Sequence, residues 1–117
     1  MSTQLTKIYR VKPSSEIKLV ITIGHGQDSF STVYLEGDKI VSEKRRSFEV
    51  VLPVPGKDLK GKMLFCSTTV IDIVKETNLT SVAYELSGGK QDFKQSLEES
   101  VDKEHGVKHY VATFLFI

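Results

Sequence analysis

The chain has 117 residues, 39% of them hydrophobic and 26% charged, with a net charge of +1 at neutral pH. That length fits one domain with one core, read here as 1–117, and the composition argues against a disordered chain and against a coiled coil. A nearly neutral domain has no global field to draw it to nucleic acid or acidic lipid. No apolar run approaches the roughly 20 residues that span a bilayer. The single cysteine, Cys66, excludes an intramolecular disulfide. With an opening Met-Ser-Thr-Gln-Leu-Thr-Lys that lacks an apolar signal core, this predicts a cytoplasmic protein.

Leu5–Val11 is the first predicted strand, and Pro13, Ser14 and Ser15 separate it from the next. Glu16–Ile23 is the clearest. Ile17, Leu19, Ile21 and Ile23 share one face and Glu16, Lys18, Val20 and Thr22 the other, the period of two of a half-buried strand. Gly24-His25-Gly26 ends it. Phe30–Leu35 and Lys39–Val41 flank Glu36-Gly37-Asp38, with Gly37-Asp38 read as the two-residue loop of a hairpin. Phe48, Val50 and Leu52 alternate up to Pro53-Val54-Pro55-Gly56, where two prolines exclude a central strand.

Lys62–Val74 is apolar on both faces and is expected to be a strand buried on both sides. Leu79–Ser87 follows, with Val82, Tyr84 and Leu86 inward. The segment 90–103 reads two ways. A tight turn at Ser87-Gly88-Gly89-Lys90 would return a strand with Phe93 opposite Tyr84 and Asp92 opposite Glu85. Alternatively Asp92 caps a helix, with Gln95 three residues on and Phe93, Leu97 and Val101 on one face. The hairpin is preferred. Lys108–Ile117, apolar on both faces, is expected to dock centrally in a sheet. The sum is an all-β, two-layer antiparallel β-sandwich, immunoglobulin-like or jelly-roll in topology, with one short helix around 92–103 as the variant.

Each chemical candidate competes with a plainer role. In the loop Gly24–Ser29, the residues His25, Gln27, Asp28 and Ser29 could bind a ligand, and His25 with Asp28 could serve acid–base chemistry. Gly, Asp and Ser are also what a turn needs, and no Gly-Lys-Ser/Thr opens a helix as a phosphate loop requires. His105 and His109 are four apart, which on a strand is roughly 13 Å, too far to share a metal. Cys66 sits in an apolar run, where a thiol is inert. Lys44, Arg45 and Arg46 form a basic patch near Phe30, Tyr34 and Phe48, and Lys57, Lys60 and Lys62 could join it on phosphates. Glu43 and Glu49 dilute the patch. Glu98-Glu99 and Asp102-Lys103-Glu104 read as solubilising charge rather than paired catalytic carboxylates.

No catalytic residue, cofactor or metal is assigned. The expectation is a non-enzymatic protein-binding or assembly module using sheet edges, with Lys62–Val74 and the terminal strand as pairing candidates. Its partner is a protein or a second copy, with no membrane and with nucleic acid disfavoured. One alternative is a small-molecule or carbohydrate site walled by the loops Gly24–Ser29 and Pro53–Gly61. Another is an enzyme centred on His25 and Asp28.

Overall fold

The computed structural model describes residues 2–103 and 105–117. The alternating apolar runs form nine strands among these residues: β1 (Ser2–Tyr9), β2 (Lys18–Ile23), β3 (Asp28–Leu35), β4 (Asp38–Arg45), β5 (Phe48–Val51), β6 (Met63–Ile71), β7 (Leu79–Ser87), β8 (Phe93–Ser100) and β9 (Val107–Phe116). They make a five-stranded sheet in the order β1-β9-β6-β3-β4 and a four-stranded sheet in the order β5-β2-β7-β8. The two sheets pack as an all-β sandwich. Neighbours are antiparallel except β1 and β9, which run parallel. Only β3–β4 and β7–β8 connect neighbours within a sheet. Every other connection crosses between the sheets, so neither sheet completes without the other.

The inward residues divide the core lengthwise. One end is apolar: Phe114 meets Phe93 edge-to-face at 5.5 Å and Phe116 meets Tyr9 at 6.2 Å, beside fully buried Leu64, Leu59 and Leu86. At the other end, hydroxyls join the sheets. Tyr84 on β7 donates to Thr68 Oγ1 on β6 at 2.9 Å, and the Ser31 and Thr68 hydroxyls are also 2.9 Å apart. Tyr110 on β9 lies 2.6 Å from the Thr80 hydroxyl of β7. Burial raises the pKa of both tyrosines, opposed by these hydrogen bonds.

Several local expectations are corrected. Residues 93–100 are strand, and the short helix lies instead at α1 (Gly56–Leu59), behind Pro55. The β7–β8 register differs by two: Phe93 faces Leu86, Gln95 faces Tyr84, and Lys94 faces Glu85, a favourable charge pair. The cause is a longer connection. Gly89 N donates to the Tyr9 hydroxyl and Lys90 N to the Arg10 carbonyl, so residues 88–92 are held against β1. Gly88 has φ +95°, and a Cβ there would lie 2.0 Å from the Glu16 carbonyl oxygen. The β3–β4 turn is Glu36-Gly37, both at positive φ, closed by the pair Leu35–Asp38.

β9 does dock inside the sheet, between β1 and β6. β6 is likewise interior, between β9 and β3, so neither strand is an edge on which a partner strand could pair. The edges are β1, β4, β5 and β8. The expectation that β6 is covered on both faces is also overturned. Its inward residues Leu64, Cys66, Thr68 and Val70 are buried, whereas Met63 and Phe65 are exposed at 46% and 39%. The sandwich has two layers, and the outer face of β6 has no third layer to cover it.

Candidate functional site

Alternation along β1, β9, β6 and β3 sends every second residue to the outside of the five-stranded sheet, and the register aligns them in rows. Ile8, Leu115 and Met63 form one row. Thr6, Thr113, Phe65, Tyr34 and Lys39 form the next. Toward the far end lie His109, Thr69, Phe30 and Arg45, then Val107, Ile71 and Asp28. Eight large hydrophobic side chains are exposed among the described residues. Five of them, Ile8, Phe30, Met63, Phe65 and Val107, belong to this side of the molecule. Tyr34 and Phe65 touch with ring centroids 6.0 Å apart, and with Met63, Glu36 and Gly37 they line a shallow depression of about 500 Å³.

Charge is confined to the rim. The outward residues of β6 are Met63, Phe65, Ser67, Thr69 and Ile71, and those of β9 are Val107, His109, Val111, Thr113 and Leu115. None of them is Asp, Glu, Lys or Arg, and His109 Nδ1 lies 3.1 Å from the Thr69 hydroxyl. The face is thus charge-depleted along β6 and β9, with apolar clusters at its two ends separated by Ser67, Thr69, Thr113 and His109, and a charge-depleted centre with a charged rim is the anatomy of a protein interface.

The residues singled out from sequence do not converge. His25, exposed and at φ +58°, turns to the edge strand β8, with Nε2 2.8 Å from Glu98 Oε2. Gln27 is buried as a structural clamp: Oε1 accepts from Ile73 N at 2.8 Å and Val74 N at 3.0 Å, while Nε2 donates to the Leu79 carbonyl at 2.9 Å. Asp28 accepts from Ser29 N at 2.9 Å and faces Arg45 and Arg46 on the opposite side from His25. Ser29 points inward; its hydroxyl and the carboxylate of buried Asp72 have no hydrogen-bond partner among the described residues.

The basic patch is therefore partly compensated: Arg45 pairs with Asp28, and Lys44 follows the positive-φ residue Glu43 in the irregular β3–β4 pairing. Lys57, Lys60 and Lys62 lie at the opposite end of β3 and do not join it. The loops Gly24–Ser29 and Pro53–Gly61 also lie at opposite ends of β2, the second held by Gly56 N on the Ser15 carbonyl, so they wall no common site. Alternation sends Glu98 and Glu99 to opposite faces of β8, and Glu104 lies outside the described residues. Cys66 is buried, and burial pushes its thiol up to about 12. His105 sits at φ +65° in the turn before β9, His109 within β9.

A second concavity, which no motif announced, lies where β1 meets the β7–β8 connection. It measures about 460 Å³ and is lined by Ile8, Tyr9, Arg10, Lys90, Gln91, Asp92 and Phe93. Burial raises the Tyr9 pKa, the Gly89 amide lowers it, and the Asp92 charge raises it further. No helix among the described residues is long and apolar enough to cross a membrane. No protein-family model, curated protein or solved structure matches the chain.

Proposed function

We propose that this protein is a non-enzymatic protein-binding module that works through the outer face of the five-stranded sheet. The observation that carries the reading is the cluster of exposed Met63 and Phe65 with half-buried Tyr34 at one end of a face whose interior strands, β6 and β9, turn no Asp, Glu, Lys or Arg outward. Burying such side chains is worth roughly 1.5–3 kcal/mol each, so a partner there gains far more than one docking on a charged face. The buried, inert Cys66 supports placing the module in the cytoplasm.

The test is affinity capture with three immobilised proteins: wild type, Phe65→Lys, and Ser96→Lys on the opposite sheet. Proteins held by wild type and Ser96→Lys but lost by Phe65→Lys support the reading. Capture that survives Phe65→Lys sinks it.

A second reading rests on the concavity beside Tyr9. Its volume lies in the range of small-ligand sites, and it offers both charges, from Arg10, Lys90 and Asp92, beside Phe93. A thermal-shift screen of small anions, sugars and nucleotides tests it. A ligand at a hundred times its Kd stabilises by about 2.7 kcal/mol, and Lys90→Ala should remove that shift.

A further inference from the structure

We infer that the concavity beside Tyr9 is a binding site for a free α-amino acid with an apolar side chain. The inference rests on the second reading above and names its ligand.

The first argument is the floor of the concavity. Tyr9 is only 5% exposed, yet it lines the space together with exposed Ile8, Arg10, Lys90 and Asp92. Its hydroxyl accepts from Gly89 N at 3.0 Å, and its own proton meets no acceptor among the described residues. A buried donor left over in this way requires a partner. The surroundings are held in place. Lys90 N donates to the Arg10 carbonyl at 3.0 Å, so the two cationic side chains leave from hydrogen-bonded backbone. A Cβ at Gly89 would lie 2.4 Å from that carbonyl oxygen and 2.6 Å from the Tyr9 ring, so the turn packs directly on both residues. The Phe93 ring is set edge-to-face on Phe114 at 5.5 Å. A ligand that finds these groups in position does not have to order them.

The second argument is charge. The ion pairs among the described residues are Lys18–Glu49, His25–Glu98 and Asp28 with Arg45 and Arg46. Arg10, Lys90 and Asp92 belong to none of them, although they line one concavity. Lys7, Lys12 and Glu16 do not line it, and Lys94 stands opposite Glu85 on the outer side of β8. Two unpaired cations and one unpaired carboxylate select a ligand by sign. A simple anion is opposed by Asp92, and a simple cation by Arg10 and Lys90. A neutral sugar takes water from all three and pairs with none. A zwitterion satisfies both signs: its carboxylate accepts the Tyr9 proton beside Arg10 and Lys90, and its ammonium faces Asp92.

The third argument is size and wall. At about 460 Å³ the concavity stands at the small end of the roughly 300–1,000 Å³ of ligand sites, which suits one amino acid. Ile8, 63% exposed, and half-buried Phe93 give its side chain an apolar wall.

The experiment is calorimetric titration of the full chain with L-phenylalanine, L-leucine and two truncated analogues. Phenethylamine lacks the carboxylate and 3-phenylpropionate lacks the amine. L-Phenylalanine should bind at least about ten-fold more tightly than either analogue. Asp92→Asn should weaken L-phenylalanine by about ten-fold without weakening 3-phenylpropionate. Lys90→Ala should weaken both carboxylates and spare phenethylamine. Both positions are exposed, so the Tm of the free variants should match wild type. If 3-phenylpropionate binds as tightly as L-phenylalanine, or Asp92→Asn has no effect, the zwitterion is overturned. If neither amino acid binds but the thermal-shift screen yields another ligand that Lys90→Ala removes, the ligand class alone is overturned. If neither experiment yields a Lys90-dependent ligand, the small-ligand reading fails with it.

Discussion

The two outer faces of the sandwich differ far more than the two inner ones. Both sheets send apolar side chains inward with the same alternation, and both inner faces are buried. Outward, the four-stranded sheet carries Lys18, Glu49, Glu85, Lys94 and Glu98 among Val20, Thr22, Val51, Ser81, Ala83 and Ser96. The five-stranded sheet carries Met63, Phe65, Tyr34, Phe30, Ile71 and Val107 among Thr6, Ser67, Thr69, His109 and Thr113, with its charges on the edge strand β4 and its turn. Folding requires only the inner pattern, so a solvated outer face of the first kind is sufficient for the fold. The second kind adds apolar surface that stabilises nothing in the isolated chain and raises the risk of aggregation. That difference is what supports the proposed binding face.

The sharpest way to break the comparison is to truncate a phenylalanine on each side of the same sheet. Phe114 is fully buried against Phe93, so Phe114→Ala should cost about 3–5 kcal/mol in urea unfolding. Phe65→Ala, on the neighbouring strand opposite Thr113 and facing outward, should change monomer stability by no more than about 1 kcal/mol. Equal losses would mean that the outer face is covered within the chain.

A smaller effect separates the two ends of the core. Thr68→Val removes the hydroxyl that Ser31 and Tyr84 share and should cost about 1–3 kcal/mol, more than the same change at exposed Thr6.

The smallest effect is seen with pH. The Cys66 thiol titrates near 9.0 when unfolded and is raised to about 12 in the fold by burial, so the folded state holds its proton longer. Its contribution is complete below pH 9 and is lost as the pH rises from there toward 12. Urea midpoints at pH 7 and pH 10 should therefore fall less in Cys66→Ala than in wild type. In the native state the thiol should react with a disulfide reagent only at the rate of unfolding.

The candidate face was half legible in the sequence. Both-sided apolarity of Lys62–Val74 and Lys108–Ile117 is visible in the residues themselves, and it marks the two strands that build the face. The sequence led to the wrong consequence, burial on both sides, because covering a face is a matter of which layer stacks on it. The loop His25–Ser29 misled for the converse reason. Its residue types suit chemistry, but alternation and the sheet crossover turn His25 toward β8, Asp28 toward β4 and Gln27 into the core.

Local periodicity was enough to determine that the chain is all-β, that Ile17, Leu19 and Ile21 face inward, that Pro53 and Pro55 end a strand, and that the terminal strand is held in a sheet. These are properties of a few adjacent residues and the period of two. Tertiary structure alone decided the strand order, the parallel pairing of β1 with β9, the register of β8 and the exposure of Phe65. Each of those depends on contacts between residues distant in the chain, where the free energy is set by which surfaces meet rather than by any one segment's pattern.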